Sequence, residues 1–206
     1  PHLISYCERI RVSGLDVNPE LLCEAFSAVD NARGSIPLTY FEFGTLAAFY
    51  IFSHLRIDVA ILEVGMGGRL DAVNLLNPDL AILCTIDIDH QAWLGSTREK
   101  IGAEKAGIFR YRGKAVVADP DPPSSVISRL AILQCEAQQH HKNFEVRPSG
   151  QNVWAWRHFG DATFGVGLPE KVQIASGSLI RARNLSGALA SVYALQDRLP
   201  IKVKDL

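Results

Sequence analysis

The sequence has little of what marks a nucleic-acid-binding or membrane protein. Its 206 residues contain 21 Lys and Arg against 22 Asp and Glu, so the formal net charge is -1. No run of Lys and Arg exceeds two residues, which leaves no basic stripe to follow a phosphate backbone. The apolar runs stay well short of the roughly 20 residues that a bilayer span needs. We therefore expect no nucleic-acid partner and no membrane partner.

Cysteine is scarce as well. The sequence has four, Cys7, Cys23, Cys84 and Cys135, with no C-x-x-C pair among them. That spacing does not indicate a zinc or dithiol site, and reduced, buried thiols are the simpler interpretation. A basic-then-apolar leader pattern is not seen in these residues either. We expect a cytoplasmic, monomeric enzyme, and we expect the chain to be truncated at both ends.

Strand-like and helix-like patterns alternate along the first two thirds of the chain, which predicts an α/β fold with a mostly parallel sheet flanked by helices. Short apolar runs indicate buried strands at Asp58 to Val64 (DVAILEV), Leu80 to Ile86 (LAILCTI) and Ala115 to Ala118. After about residue 142 the pattern becomes β-rich. There we expect short strands at Val153 to Trp156 and Thr163 to Val166.

Capping residues predict where several helices begin. Asn18 before Pro19 predicts a helix of about 15 residues that Gly34 ends, and Thr39 with Glu42 forms a capping box for a second helix. The spacing of Ser96 and Glu99 predicts another helix, which carries Lys105. Two further helices are expected at Val126 to Gln139 and at Arg181 to Arg198.

Polar residues follow two of the predicted strands, where open parallel sheets bind ligands. Glu63 closes the first strand, and Asp87, Asp89 and His90 follow the next. A buried carboxylate costs at least a few kcal/mol unless it meets a cation or several donors, which favours a functional Glu63. For His90, a loop histidine bonded to backbone is as good an interpretation. If the two strands are near neighbours, Glu63 and His90 face one crevice.

The loop after Glu63 is rich in glycine (GMGGRLD, from Gly65). It lacks the G-K-[ST] ending of a Walker A loop, and Leu70 occupies the place of the third glycine in a dinucleotide-binding motif. A tight strand-to-loop turn and a close approach to a ligand both remain open.

Lys105 is unusual because it shares a helical face with Ile101 and Ile108. In one interpretation its stem packs on the core while the ammonium reaches solvent, paired to Glu104. In the other, Lys105 is a desolvated amine, whose lowered pKa would leave a neutral nitrogen for covalent chemistry. Spacing alone favours the first.

Several long strings occur in an order that resembles bacterial bifunctional dihydrofolate synthase/folylpolyglutamate synthases of the Mur ligase superfamily. They are PHLISYCERIRVSG from Pro1, GSIPLTYFEFGTLAA from Gly34, ILEVGMGGRLDAVN from Ile61, IDIDHQAWLGSTREKIGAEKAGIFR from Ile86 and RARNLSGALA from Arg181. The resemblance is dense from Gly34 to Arg110 and thin from Val126 to Gly177. It implies a Mur ligase central domain, P-loop NTPase-like but without its P-loop segment.

The resemblance implies an ATP-dependent ligase that forms a C–N bond. ATP would phosphorylate the carboxylate of dihydropteroate or of a tetrahydrofolate (poly)glutamate, and the amine of L-glutamate would then displace phosphate. Two Mg²⁺ ions would neutralise the phosphate charge. Alternatives are a Mur ligase acting on a muropeptide precursor, a non-catalytic pteridine-binding fragment, and a metal hydrolase using Glu63 and His90. The hydrolase is disfavoured because no H-E-x-x-H spacing is present.

The same resemblance assigns roles to residues. Glu63 and His90 fall on the metal ligands, and Lys105 falls on a lysine that CO₂ carbamylates, so Lys105 and His90 are the catalytic candidates. Asn184 matches an adenine-side asparagine, while Gly187 stands where many relatives carry a second Asn. The segments that line the pteridine pocket are matched by Thr39, Tyr40, Phe41, Glu42, Leu70, Asp71 and Ala72.

The chain departs from the family at its ends. The phosphate-binding loop G-T-N-G-K-G-[ST] and the C-terminal domain are not in the sequence, so we expect this chain alone to be inactive. We expect residues 1–206 to form a truncated central domain. Its parts would be an α/β core at 1–141, a β-rich segment at 142–180, and a helix with the start of a C-terminal domain at 181–206.

Overall fold

A computed structural model describes residues 2–159 and 171–201. These residues form two compact units. The first runs up to Met66 and includes Asp71–Leu75, and the second comprises Gly67–Leu70 and the chain from Leu76 onward. No helix in the described ranges is long and apolar enough to cross a membrane.

The first unit is mainly two helices. A 3₁₀ turn at Tyr6–Arg9 leads into a small antiparallel pair, β1 (Arg11–Val12) and β2 (Leu15–Asp16). Helices α1 (Pro19–Arg33) and α2 (Tyr40–His54) follow, and a 3₁₀ turn covers Ala72–Leu75. Apolar faces of both helices make one core, whose buried members are Ile10, Val17, Leu22, Ala25, Val29, Ala47 and Ile51.

Both predicted helix starts in this unit are confirmed. The Asn18 side chain accepts hydrogen bonds from the N–H groups of Glu20 and Leu21. Thr39 and Glu42 form the reciprocal capping box, with Thr39 N–H to Glu42 Oε2 at 2.7 Å and Glu42 N–H to Thr39 Oγ1 at 3.3 Å. Two otherwise unpaired N–H groups of the first turn of α2 thereby gain acceptors.

The second unit contains a parallel sheet in the order β3-β4-β5, with β3 at Leu80–Leu83, β4 at Lys114–Val117 and β5 at Glu136–Gln139. The connecting helices are α3 (Gln91–Leu94), α4 (Arg98–Lys105) with a 3₁₀ turn at Ala106–Ile108, and α5 (Ser124–Ile132). An antiparallel sheet, β6-β7-β8, follows, and helix α6 (Leu179–Ala194) comes last. The strands are β6 (Phe144–Gly150), β7 (Val153–His158) and β8 (Lys171–Ala175).

Strand β4 is buried on both faces, as its apolar run predicts. Ala115 and Val117 pack with residues of α4 and α5, while Val116 packs into a second core with α6 and the antiparallel sheet. Alternate side chains of one strand therefore join two layers of the unit. The predicted fold class, a parallel sheet flanked by helices with a β-rich part after it, is confirmed.

Four sequence expectations need correction or fall outside the described residues. Helix α4 is capped by Thr97, one residue after Ser96, because Thr97 Oγ1 accepts from Lys100 N–H. The helix expected at Val126 to Gln139 ends at Ile132, where Gln134 takes a positive φ of 51° and the chain turns into β5. The last helix begins at Leu179 and ends at Ala194. The strand expected at Thr163 to Val166 lies outside the described residues.

The strand expected at Asp58 to Val64 is wrong. Those residues belong to no strand in the described chain, and Ile61 is 90% exposed. The apolar run satisfies the composition of a buried strand, but a strand also needs a neighbour to accept and donate its ladder hydrogen bonds. Strand β3 has that neighbour in β4, although it ends at Leu83, short of the expected Ile86.

Candidate active site

Asp71 organises the start of the glycine-rich loop, Gly65 and Met66, which belongs to the first unit. Its Oδ2 accepts hydrogen bonds from the N–H groups of Gly65 and Met66, both at 3.0 Å, and its Oδ1 accepts from Val73 N–H at 3.0 Å. Phe41 covers the same place, since a Cβ on Gly65 would lie only 2.7 Å from its Cζ. Glycine at position 65 is therefore required by the close approach of an aromatic ring.

The residues predicted to line a pteridine pocket separate into two groups. In the first unit, α2 contacts the 3₁₀ turn that begins at Ala72, and Phe41 and Asp71 meet at Gly65. Leu70 belongs to the second unit and is 80% exposed. The structure thus brings the helix start and the turn together within one unit.

The polar members of this group already have backbone partners. The Thr39 N–H holds the pKa of the Glu42 carboxyl below its ordinary value. The two rings are differently placed, because Tyr40 is 61% exposed and lies under the Arg9 guanidinium at 5.2 Å, while Phe41 is half-buried. The rings of Tyr40 and Phe41 can each offer a flat apolar surface to a planar ligand.

Glu63 lies in the first unit and is exposed. The sequence predicted a buried Glu63 carboxylate that would need a cation or several donors. That prediction is wrong, because the segment of Glu63 is not a buried strand. An exposed carboxylate keeps its oxygens accessible to a cation at little desolvation cost.

His90 lies in the second unit, directly before α3, with an exposed side chain. Its backbone is left-handed (φ 50°, ψ 39°), a conformation that costs a non-glycine residue about 1 kcal/mol or more. Its carbonyl accepts from the N–H groups of Trp93 and Leu94 at 2.9 and 3.0 Å, and its Nε2 lies 3.7 Å from Asp89 Oδ2. Five other non-glycine residues of the described chain share a positive φ, so the backbone fixes the place of His90 without assigning it a role.

Lys105 is half-buried and is the last residue of α4. Ile108 lies in the 3₁₀ turn beyond it, so the expected continuous helical face ends at Lys105. Glu104, the expected partner of Lys105, binds Arg69 of the glycine loop instead: Nη2 and Oε1 are 3.0 Å apart, and Arg69 N–H donates to the Glu104 carbonyl at 3.0 Å. The Gly67–Leu70 part of the loop, which belongs to the second unit, is therefore anchored to the helix end that carries Lys105.

Asn184 is exposed on α6, next to the exposed Leu185. Gly187 is buried, and a Cβ there would lie 3.0 Å from the Cβ of Ala118. The glycine allows α6 to approach the end of β4, which is a packing reason for its presence.

Asp119 and Arg98 are residues that sequence reasoning missed. Asp119 follows β4 and is 1% exposed, and its carboxylate accepts hydrogen bonds from the Ile86 and Asp121 N–H groups and from Arg98. The sequence did contain a signal for Asp119, because this carboxylate follows the run KAVVA directly. The same pattern, a carboxylate after an apolar run, was the reason for choosing Glu63.

The predicted metal ligands Glu63 and His90 belong to different units, and their common crevice stays a prediction. Within the described residues, no group of three or more His, Cys, Asp or Glu side chains forms a metal cluster.

Comparison with known proteins identifies relatives along almost the whole chain. The dihydrofolate synthase/folylpolyglutamate synthase of Escherichia coli (strain K12) is 39% identical over 201 residues, which cover 96% of this chain and 46% of that protein. A scan of protein-family models gave no match.

Solved structures give the same result. E. coli FolC in complex with DHPP and ADP matches 94% of this chain with a TM-score of 0.83 and 38% identity. A bifunctional folylpolyglutamate synthase/dihydrofolate synthase with Mn, AMPPNP and L-glutamate bound matches 98% with a TM-score of 0.79 and 36% identity. The chain spans about half the length of the relatives it matches: 46% of the E. coli (strain K12) protein and 44% of the chain in the FolC complex with DHPP and ADP. By sequence and by fold, this chain belongs to the dihydrofolate synthase/folylpolyglutamate synthase family.

Proposed function

We propose that a protein with this chain and the full length of its relatives, called the full-length protein below, is an ATP-dependent ligase. It joins L-glutamate to dihydropteroate and to tetrahydrofolate (poly)glutamates through an acyl phosphate. The observation that carries the proposal is the 39% identity over 96% of the chain to a protein of that name. Solved relatives bound to ADP, or to AMPPNP, Mn and L-glutamate, support the same substrates. This chain would be the central portion of that ligase, with an α/β core at 1–141, a β-rich segment at 142–180, and a last part at 181–206 that includes most of α6 and the start of a C-terminal domain.

The donor chemistry fits a divalent cation, for which we propose Mg²⁺ in the cell. Glu63 offers an exposed carboxylate and His90 an exposed imidazole, and Mn²⁺ accepts both kinds of donor while Mg²⁺ prefers the oxygen. The bound metal would supply charge neutralisation at the phosphates. The chain's own part is to hold each donor side chain in place.

Lys105 has two interpretations that predict different chemistry. In the one we favour, the Lys105 ammonium first loses one proton to solvent, and the neutral Nζ attacks the carbon of CO₂. An N–C bond forms, the electrons of one C–O π bond move to oxygen, and a second proton leaves nitrogen, so a cation becomes a carbamate anion. That anion suits a metal site, whereas an ammonium would repel the metal. In the other, the stem packs and the ammonium reaches solvent. The half-buried side chain at the end of α4 is compatible with both.

The remaining candidates would bind and orient substrates. Tyr40 and Phe41 offer ring surface to a pteridine, while Thr39 and Glu42 fix the helix start and Asp71 fixes the start of the loop. Leu70 and Ala72, the sequence neighbours of Asp71, are proposed to line the same pocket. Asn184, exposed on α6, would contact the adenine. We propose a cytoplasmic monomer that has neither a nucleic-acid nor a membrane partner.

Titration of dihydropteroate, with and without ATP and Mg²⁺, tests the ligase proposal. The full-length protein should form dihydrofolate only when dihydropteroate, L-glutamate, ATP and Mg²⁺ are all present. The 206-residue chain should give no turnover, because its sequence does not contain the phosphate-binding loop motif. Positioning of the phosphates supplies most of the catalysis in phosphoryl transfer. Binding of dihydropteroate without turnover by the full-length protein would contradict the proposal and favour a pteridine-binding protein.

Lys105→Ala in the full-length protein separates the two lysine interpretations. If Lys105 carries a carbamate, activity should be lost, and a short carboxylic acid in solution should restore part of it by replacing the anion. Wild-type activity should also fall when bicarbonate and CO₂ are removed. An unmodified Lys105 in the intact mass of the active, metal-bound enzyme would contradict the carbamate.

A further inference from the structure

The backbone of Ile86 is held by two charged side chains. Ile86 is 2% exposed, so its N–H and C=O are buried and need partners. The pairing of β3 with β4 ends at Leu83 and Val117, three residues earlier on β3. In its place, Asp119 Oδ2 accepts from Ile86 N–H at 2.7 Å and Arg98 Nε donates to the Ile86 carbonyl at 3.0 Å.

The two side chains also bind each other and the chain beyond Asp119. Arg98 Nη2 lies 3.3 Å from Asp119 Oδ2 and donates to the Asp121 carbonyl at 2.7 Å. Asp119 Oδ1 accepts from Asp121 N–H at 2.9 Å. The start of α4, the end of β4 and the chain after β3 thus meet in one network. Only the Asp119 side chain of this pair is buried, since that of Arg98 is 37% exposed, and the contacts of both fix the geometry of the Ile86 backbone.

That geometry bears on His90, four residues after Ile86. Between them, Asp87 and Asp89 each accept a hydrogen bond from the next N–H, at 2.7 and 2.6 Å, which shapes the loop locally. On its other side His90 is fixed by α3, through the N–H groups of Trp93 and Leu94. The path of the loop is therefore set at its two ends, by Ile86 and by α3.

We propose that Arg98 and Asp119 are positioning residues that place His90 for metal binding. In this role neither side chain contacts substrate or metal, and both act through the Ile86 backbone. The inference rests on the proposed function, because it assumes that His90 is a metal ligand.

The test uses Arg98→Ala, Arg98→Lys and Asp119→Asn in the full-length protein. Residues that orient a metal ligand typically change metal affinity roughly 10- to 100-fold when mutated. We expect Arg98→Ala to raise the Mg²⁺ concentration for half-maximal activity by that factor, with little change in the KM for dihydropteroate. Arg98→Lys should recover only part, because one ammonium does not reproduce the forked donors. Independently of activity, hydrogen exchange at Ile86, Asp87 and Ile88 should become faster.

Glu99→Gln is the matched control. Glu99 is the neighbour of Arg98 on α4, but its carboxylate accepts from the Ser124 and Ser125 N–H groups at the start of α5. It should lower thermal stability without shifting the Mg²⁺ requirement.

Two results separate the positioning role from the proposed function. If all three Arg98 and Asp119 variants keep the wild-type Mg²⁺ requirement and wild-type exchange at Ile86 to Ile88, the positioning role is overturned. His90→Ala tests the ligand itself, and a wild-type Mg²⁺ requirement there would overturn the role of His90 whatever the other variants show. Should Arg98→Ala fail to fold, Arg98→Lys and Asp119→Asn carry the same comparison.

Discussion

Glu63 and Asp119 both close an apolar run of strand type, yet they end in opposite environments. Glu63 follows DVAIL and is exposed in the first unit. Asp119 follows KAVVA and is 1% exposed in the second, with two backbone N–H groups and Arg98 as donors. The difference comes from strand pairing, since KAVV lies between two neighbours while the segment at Glu63 belongs to no strand in the described chain.

Pairing decides which carboxylate is structural and which is available. Once the strand before it is buried, Asp119 must be satisfied by protein donors, because an unpaired buried charge costs several kcal/mol. Glu63 keeps water as an alternative partner and can exchange it for a cation. The same local pattern therefore supports a fixed network in one unit and an accessible carboxylate in the other.

The largest expected effect is on catalysis. Glu63→Gln in the full-length protein should lower the Mg²⁺-dependent rate by about 100-fold or more, because a hard cation prefers an anionic oxygen to an amide. Circular dichroism and the thermal midpoint should stay at wild-type values, as expected for an exposed side chain. A wild-type rate and metal requirement would make Glu63 a surface carboxylate without function.

The next effect is on stability. Asp119→Ala should lower the free energy of unfolding by about 3 kcal/mol, because the buried Ile86 N–H loses its acceptor and Arg98 loses a partner. Urea unfolding measures the change, with Glu63→Ala as the matched carboxylate removal. Equal urea midpoints for the two variants would contradict the contrast between these residues.

His140 sharpens the comparison, because it follows β5 as Asp119 follows β4 but is buried without hydrogen bonds at either ring nitrogen. Burial, with His141 and Arg183 nearby, lowers the pKa of His140 from 6.5 to about 4, against the opposite effect of Glu145 and Asp119. The unfolded state then binds more protons between these values, so stability should fall as pH drops from 6.5 towards 4.

The urea midpoint measured from pH 7 to 4.5 checks this slope. His140→Phe should flatten it, while His54→Phe, at an exposed histidine of the first unit, should leave it unchanged. An identical slope in both variants would assign the pH dependence to other groups.

The smallest effect concerns the Thr39 hydroxyl, which caps α2 in the first unit. Thr39→Ala should cost about 1 kcal/mol of stability, because the first turn of α2 loses its capping acceptor. Thr39→Ser keeps the hydroxyl and should retain most of the stability. If both variants unfold at the wild-type urea concentration, the cap contributes nothing measurable.

How much could be predicted from sequence differs between the two parts of the candidate site. The caps at Asn18, Thr39 and Glu42 were predicted correctly because their partners lie within three residues. The network of Arg98, Asp119 and Ile86 before His90 could not be predicted. Asp119 and Ile86 are 33 residues apart, and no local pattern pairs them. Lys105 is intermediate: its helix was predicted, but the Arg69 to Glu104 ion pair across 35 residues was not.

The sequence by itself determined the family, the helix starts and the α/β class, because long ordered motifs, caps and apolar periodicity are local properties. Only the tertiary structure decided that Asp58 to Val64 lacks a strand partner in the described chain and that Asp119 is the buried carboxylate. It also decided that Glu104 binds Arg69. Each of these outcomes depends on which distant segment supplies the hydrogen-bond partner, and apolar composition carries no record of that choice.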